Sequence, residues 1–591
     1  MTTSRMGQLP PVPPPLERAA PARPSRTVSR RGGVVLTAAL LLLAGLPALA
    51  GLAGLWHDRA EPYLPIGDHA FLALVVDAVG EDAVLLGAYS RFDWYHPGPM
   101  AAYLLAVPYK LLGEALQGLA VGALVMNGIS VAVAVWLVRR RAGLVPAVWT
   151  LLVVTLSVHL TSEDFLRDTW NPVLPVLPFL AGVLLCWTAL RGDAWALPLA
   201  VVPLSLAAQS HVGYLPAVGA VGGVLVAGLL LRAVRHRRRR AAGAATIGAE
   251  EPVRRPRRWL VAGGVAVAVG LLLWTPPVVQ QLTGTPGNAG VLYDYLLRTP
   301  PDQPAGLAVG LRSVADEFGK LPAHVAGADV PGDFVLPGRW PPAAIAVGIA
   351  LFAVALAVAA ARRREDALWS GVLTLAVAAA GVAAVTRIDG WTRHYLTQWT
   401  LVVGILAWTT VGLGLLPELE SGVRRVLAGR FPALRPGTVL GMPLAALTVV
   451  VVGVAAVGTA RADTPTTDVT GDVVALERAV VVDLDRRGLL TGPDAPVVRV
   501  DFVPTTRPVI VGTVEPGVGV VLALHRDGVG VQVEEVWHIP FGERCTARPD
   551  EAGCVATVAW SDGTSPPPAP WQELLAIAGA YQVYGGAPPG G

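Results

Sequence analysis

Leu64-Pro65-Ile66-Gly67-Asp68-His69-Ala70-Phe71-Leu72-Ala73-Leu74 and, after residues 75–88, Tyr89-Ser90-Arg91-Phe92-Asp93-Trp94-Tyr95-His96-Pro97-Gly98-Pro99 form a polar, aromatic stretch between two apolar runs, 34–55 and 118–138. Each run reaches the roughly 20 residues that a helix needs to cross a bilayer. The loop between them, 56–117, carries acids, aromatics and histidines that no membrane crossing needs. It is therefore where chemistry would be sought.

The same apolar pattern continues along the chain. By the criterion of about 20 mostly apolar residues there are about eleven candidate spans: 34–55, 118–138, 143–161, 172–190, 194–210, 213–233, 259–277, 341–361, 367–386, 395–416 and 439–460. Composition agrees. Of 591 residues 53% are hydrophobic and 15% charged, with mean hydropathy +0.54; soluble proteins average roughly 25% charged. A chain so poor in charge cannot cover a soluble surface of this size, which excludes a soluble multi-domain enzyme, a disordered protein and a nucleic-acid binder. The net charge of +3 says little. Basic residues are nearly all Arg, with Lys110 and Lys320 the two lysines, and heavy Ala, Val, Gly and Pro use suggests a GC-rich, actinobacterial genome.

Arginine placement sets the expected topology. Arg26, Arg30 and Arg31 precede the first span and put the N-terminus in the cytoplasm. Threading on, Arg139-Arg140-Arg141, Arg191, the run Arg235 to Arg240 with Arg254 to Arg258, Arg362-Arg363-Arg364 and Arg424-Arg425 all fall on that inner side. Segment 1–33 is Pro- and Arg-rich without periodicity and is expected to be a disordered cytoplasmic tail. Segment 461–591 is expected outside, as a small α/β domain: 472–487 has helical periodicity, 497–503 and 530–535 alternate like strands, and 571–582 reads as a short amphipathic helix. Cys186 lies in an apolar run, whereas Cys545 and Cys554 in an oxidising exterior would read as a disulfide.

Asp68 and His96-Pro97-Gly98-Pro99 carry a resemblance. An acid after the first span, then a basic residue and a proline pair opening a juxtamembrane helix before the second span, is similar to the GT-C superfamily of polytopic glycosyltransferases, in the branch of protein mannosyltransferases and lipid A aminoarabinose transferases. Gly98 stands where that branch usually has a second Pro, and His69 where a second acid often follows. The resemblance is specific within residues 34–141 and architectural beyond them, where the layout is similar to actinobacterial cell-envelope members. It implies a GT-C-like transmembrane domain over 34–460 with its catalytic loop at 56–117. It also implies an inverting transfer of a hexose or pentose from a polyprenyl-phosphate donor to a glycan, glycolipid or protein hydroxyl at the outer face of the plasma membrane.

Under that resemblance Asp68 is the candidate general base, because an acceptor hydroxyl is a weak nucleophile until its proton has somewhere to go. Its bland alternative is a helix N-cap ahead of the run Ala70 to Val76. The departing phosphate needs donors or cations; His96 matches the family position, and Arg91, Arg387, Arg393 and His394 are further candidates. Residues 387–395 can equally be read as interfacial anchoring by Trp391 and Tyr395, with Arg387 paired to Asp389. Glu163 and Asp164, in the acidic turn through Asp168 that precedes Trp170-Asn171-Pro172, could orient the acceptor or hold a divalent cation; no spacing there defines a metal site, and a solvated turn is the simpler reading. The competing functions are a transporter or flippase of lipid-linked precursors and a non-catalytic envelope scaffold. Spans almost free of ionisable residues speak against a transport path.

Overall fold

The computed structural model describes residues 30–90, 92–241, 255–328, 340–390, 392–427, 439–488, 497–502, 511–533, 554–561, 571–579 and 581–586. All eleven expected spans are helices. In chain order the first half holds α1 (Arg30–His57), α2 (Gly67–Asp77), a ribbon of β1 (Tyr89–Ser90) and β2 (Trp94–Tyr95), α3 (Met100–Leu111), α4 (Gln117–Ala142), α5 (Leu144–His159), α6 (Val176–Leu190), α7 (Ala196–Ser210) and α8 (Leu215–Ala241). There follow α9 (Arg255–Leu273), α10 (Thr275–Thr283), α11 (Asn288–Tyr293), α12 (Gly306–Val325), α13 (Pro342–Ala361), α14 (Glu365–Thr386), α15 (His394–Thr397), α16 (Leu401–Leu427) and α17 (Gly441–Arg461).

Among the described residues seven helices are long and apolar enough to cross a membrane, and α9 with α10 adds an eighth bent by 48°. The protein is a multi-pass membrane protein. The other three expected spans, α5, α6 and α7, are apolar but only 15 or 16 residues long. A 15-residue helix rises about 22 Å, short of a 30 Å hydrocarbon core. α6 needs no lipid contact, since every one of its residues is buried, Cys186 included.

Among the described residues the basic clusters at 139–141, 191 and 362–364 lie at one end of the bundle. Arg140 pairs with Asp193 at 2.7 Å, and Arg141 donates to the carbonyls of Thr188 and Arg191. Arg191 engages Glu365 and Asp366, and Arg364 and Arg362 both reach Glu418. At the opposite end lie α2, the ribbon, α3, the turns 160–175 and 211–214, and residues 387–400.

The C-terminal region is α/β as expected, with α18 (Thr470–Arg486), β3 (Val497–Phe502), α19 (Val511–Arg526), β4 (Val531–Val533), β5 (Cys554–Ser561), β6 (Glu573–Ala578) and β7 (Tyr581–Gly586). The sheet runs β4-β3-β5-β7-β6, with β3 parallel to β4 and β5 and β7 antiparallel to β5 and β6. One element differs from the sequence reading. Residues 571–582 are not a helix: they form β6 and the start of β7, because Gly579 at φ +56° turns the chain back and Ala578 pairs with Tyr581. The Gly- and Pro-rich loop 278–340 contains α12, a 20-residue amphipathic helix packed on α13, α14 and α16.

This unit does not stand apart from the first loop. Ile66, Phe71, Leu105 and Tyr109 share one apolar core with Val473, Leu476, Val518 and Val583. The aqueous burial of one such aliphatic side chain stabilises by about 1.5–3 kcal/mol, so the core fixes α2 and α3 against the α/β unit.

Candidate functional site

Gly67 begins α2 at φ +53°, a left-handed conformation that only glycine adopts without strain. The helix is capped by Ile66, without a side-chain hydrogen bond. Asp68 therefore sits inside the first turn and is not the N-cap. Its Oδ2 accepts a 2.8 Å hydrogen bond from Trp170 Nε1, and it is also hydrogen-bonded to Tyr89. Asp68 is exposed as a residue, but Trp170 and Tyr89 crowd its carboxyl group. Desolvation by its surroundings raises its pKa, against the opposing pull of Trp170, His69 and Tyr89.

The acidic turn between α5 and α6 lies on one side. His69 Nε2 lies 2.9 Å from Asp168 Oδ1, and Asp168 also accepts from the Trp170 backbone at 2.8 Å. Burial alone would lower the pKa of His69, but the hydrogen bond and charge of Asp168, with Asp68 and Asp164 beyond, raise it. Asp164, hydrogen-bonded by Ser162, is pushed up to about 6 by burial and by Asp168. Glu163 is exposed beside Gly458 of α17. Buried Arg167 donates to the carbonyls of Thr459 and Ala462, tying the turn to the end of α17. Among the described residues no group of three or more His, Cys, Asp or Glu side chains converges as a metal site would require.

Helix α15 lies on another side. Tyr395 in α15 stacks on Trp170 with ring centroids 4.5 Å apart, which brings this segment beside Asp68. Arg393 is the residue before α15 and His394 its first. Arg387 is exposed and donates to the Leu296 carbonyl at 2.9 Å, while Asp389 accepts from the backbones of Asp302 and Gln303. Arg91 and Trp391 lie outside the described residues, as does Cys545. Cys554 opens β5, so the Cys545–Cys554 pairing falls outside them too.

His96 takes a different place. The ribbon pairs Tyr89 with Tyr95, and the next residue, His96, turns inward. Its Nδ1 accepts from the Val212 backbone at 3.0 Å, and its ring lies 4.6 Å from that of His211, whose own Nδ1 accepts from Gly213. Burial and the neighbouring imidazole hold its pKa well below 6.5, and burial takes His211 to about 4. Both rings are neutral near pH 7, with the remaining proton on Nε2 by inference from the hydrogen bonds. His96 can therefore offer a phosphate an N–H, but not a charge. The motif does open a helix: Pro99 precedes α3. Segment 288–298 braces the ribbon, since Asn288 bonds both the N–H and the C=O of Tyr95 and Tyr295 packs on Trp94.

With this geometry in hand, the chain can be set beside known proteins. No protein-family model matches the sequence, and no curated protein matches it. Among solved structures it is similar to ArnT from Cupriavidus metallidurans. The apo form gives 14% identity and TM-score 0.46, the form bound to undecaprenyl phosphate 13% and 0.48, each over 94% of this chain and 98% of that one. It is also similar to the arabinofuranosyltransferase AftD from Mycobacteria, at 14% identity and TM-score 0.35, over 95% of this chain and 40% of that one. Both are GT-C membrane glycosyltransferases, the superfamily that residues 34–141 resemble. Likeness at this level carries no argument about chemistry, which has to come from the residues themselves.

Those residues include some that sequence reasoning passed over. Tyr89 and Trp170 were legible as aromatics near acids, but nothing in their spacing paired either with Asp68 across up to 102 positions. Asp168 belonged to the acidic turn, yet its partner His69 was invisible without the fold. Glu515 of α19, whose Cγ lies 3.0 Å from where a Gly67 Cβ would be, gave no local signal at all.

Proposed function

We propose that this protein transfers a sugar from a polyprenyl-phosphate carrier to an acceptor hydroxyl, with Asp68 as general base, at the end of the bundle opposite the arginine clusters. That end faces outward if the arginines mark the cytoplasm. The observation that supports this most is the setting of Asp68: it is not spent on capping α2, it is exposed, and Trp170 and Tyr89 orient its carboxylate. Its raised pKa makes it a better proton acceptor than an ordinary carboxylate.

In the step itself the acceptor oxygen forms a bond to the anomeric carbon as the bond from that carbon to the phosphate oxygen breaks. The acceptor proton passes to Asp68, and polyprenyl phosphate departs with the electron pair. A single displacement of this kind inverts the anomeric configuration. Trp170 and Tyr395 offer aromatic faces on which a sugar ring packs. Arg393 and His394 begin the segment carrying Tyr395 and are the proposed cations for the phosphate, and the Nε2 hydrogen of His96 is a neutral donor at the same end.

The test replaces Asp68 by Asn in the full chain, reconstituted in vesicles with a panel of polyprenyl-phosphate-linked pentoses and hexoses. General-base loss predicts a fall of about 10²–10⁴-fold in transfer with unchanged protein level. Transfer at the wild-type rate would remove Asp68 from this role. Lipid-linked sugar crossing the bilayer without transfer would favour a flippase.

A further inference from the structure

Helix α19 lies across α2 so closely that backbone meets backbone. A Cβ on Gly519 would stand 3.1 Å from the Pro65 carbonyl oxygen and 3.1 Å from Ile66 Cγ2. One turn earlier, the side chain of Glu515 runs along Gly67, with Cγ, Cβ and Cδ 3.0–3.4 Å from its missing Cβ. Gly67 is the residue before Asp68. The left-handed glycine thus admits the Glu515 side chain beside the candidate base.

We propose that Glu515, carried by the C-terminal α/β unit, is the proton partner of Asp68, so that the site is incomplete until this unit docks. The inference rests on the transferase reading for its catalytic meaning, though the carboxyl pair itself does not. Tyr89 supports it: its hydroxyl bonds Asp68, and burial first, then the fields of Asp68 and Glu515, hold its pKa high. Burial, and after it Asp68, push Glu515 up to about 7, with His69 opposing. The titratable groups facing the pair are His69 on α2, Tyr89 on β1, Asp164 and Asp168 from the acidic turn, and Tyr395 on α15. The charge of Asp68 opposes ionisation of Glu515, which therefore keeps its proton to higher pH than an ordinary glutamate. Glu515 thereby works through Asp68 as a positioning and tuning residue: its side chain packs the turn at Gly67, and its charge, as it ionises, raises the basicity of Asp68.

A protonated, partly buried carboxyl group reacts with a hydrophobic carbodiimide where an ionised one does not. The full chain in vesicles is treated with dicyclohexylcarbodiimide from pH 5 to 9, and modification of Glu515 is followed by peptide mass spectrometry. In the unsubstituted protein, labelling is expected to fall with a midpoint near pH 7. In Asp68→Asn the midpoint should move down by about one unit, because the like charge is gone. Glu515→Gln should in turn shift the acid limb of the transfer rate to lower pH. A midpoint near the ordinary 4.5 in the unsubstituted protein overturns the proposal, as does one that Asp68→Asn leaves unmoved. Coupled labelling without any sugar transfer would defeat the transferase reading and leave the pair standing. Transfer abolished by Asp68→Asn with uncoupled labelling would do the reverse.

Discussion

Gly98 occupies the position where the resembling glycosyltransferases usually have proline, so family pattern alone would suggest that Gly98→Pro is harmless. The structure predicts the opposite. A Cβ on residue 98 would stand 2.4 Å from Gln209 Oε1, 2.7 Å from Pro277 Cγ and 2.8 Å from Gln209 Cδ. Gln209 is fully buried, and its Nε2 is tied to the Leu273 carbonyl at 2.9 Å, so it cannot swing aside cheaply. Forcing an extra carbon into such a site costs about 1–3 kcal/mol. Proline also removes the N–H that bonds the Gln209 carbonyl at 3.2 Å, a further loss of about 1 kcal/mol. Gly98→Ala should therefore destabilise by about 1–3 kcal/mol and Gly98→Pro by about 2–4. Unfolding by denaturant in detergent micelles, followed by tryptophan fluorescence, reads this out. Gln209→Ala supplies the control: combined with Gly98→Ala it should recover about 1–2 kcal/mol relative to the sum of the single changes. If Gly98→Ala is within about 0.5 kcal/mol of the unsubstituted protein, the range of an ordinary surface change, or if the double change is additive, the packing argument is wrong.

The His69–Asp168 pair should give pH-dependent stability. Since the His69 pKa is raised above 6.5, its contribution is complete below that value and fades as pH climbs through the raised one. Unfolding midpoints between pH 6 and 9 should decline more steeply in the unsubstituted protein than in His69→Gln; parallel profiles would argue against the pair. Asp77 clasps the α/β unit to the first loop, accepting from Tyr109 at 2.6 Å and lying 3.3 Å from His525 Nε2. His525 foremost, with Tyr109 and Lys110 and against burial, depresses its pKa to about 2, so the clasp holds above the ordinary 3.8 and is lost as pH falls toward 2. After discounting for solvent screening, Asp77→Asn should loosen the clasp by on the order of 1 kcal/mol, seen as about fivefold faster hydrogen exchange in residues 511–526 at pH 7. Unchanged exchange would place the grip elsewhere.

What the sequence disclosed follows from physics that acts locally. Apolar run length located every long apolar helix, and the arginines at 139–141, 191 and 362–364 share one end of the bundle, because insertion into a bilayer is decided segment by segment. The length of α5, α6 and α7 was less legible, since an apolar run does not say whether lipid or protein surrounds it. Residues 571–582 were misread because a short apolar alternation interrupted by glycine fits a helix stripe as well as a hairpin. At the site, Asp68 stood out through its motif, whereas its partners Tyr89, Trp170 and Glu515 come from separate elements. Only tertiary packing joins them. The departure at Gly98 looked like a defect in the motif; in the structure it is the mate of Gln209.

The shared core of the first loop and the α/β unit has a consequence for how the molecule is made. Leu64 exchanges hydrogen bonds with Thr470 across 406 positions, and Tyr63 donates to the Pro465 carbonyl across 402. During synthesis the loop reaches its compartment hundreds of residues before the surfaces that cover it. Until then Ile66, Phe71 and Leu105 lack their neighbours on α18 and α19. Completion of this core thus waits for translation of α18 and α19, and a chain interrupted before residue 470 would carry the preceding spans with the first loop uncovered. Placing a late-made helix against an early-made loop ties completion of the site to the order of translation.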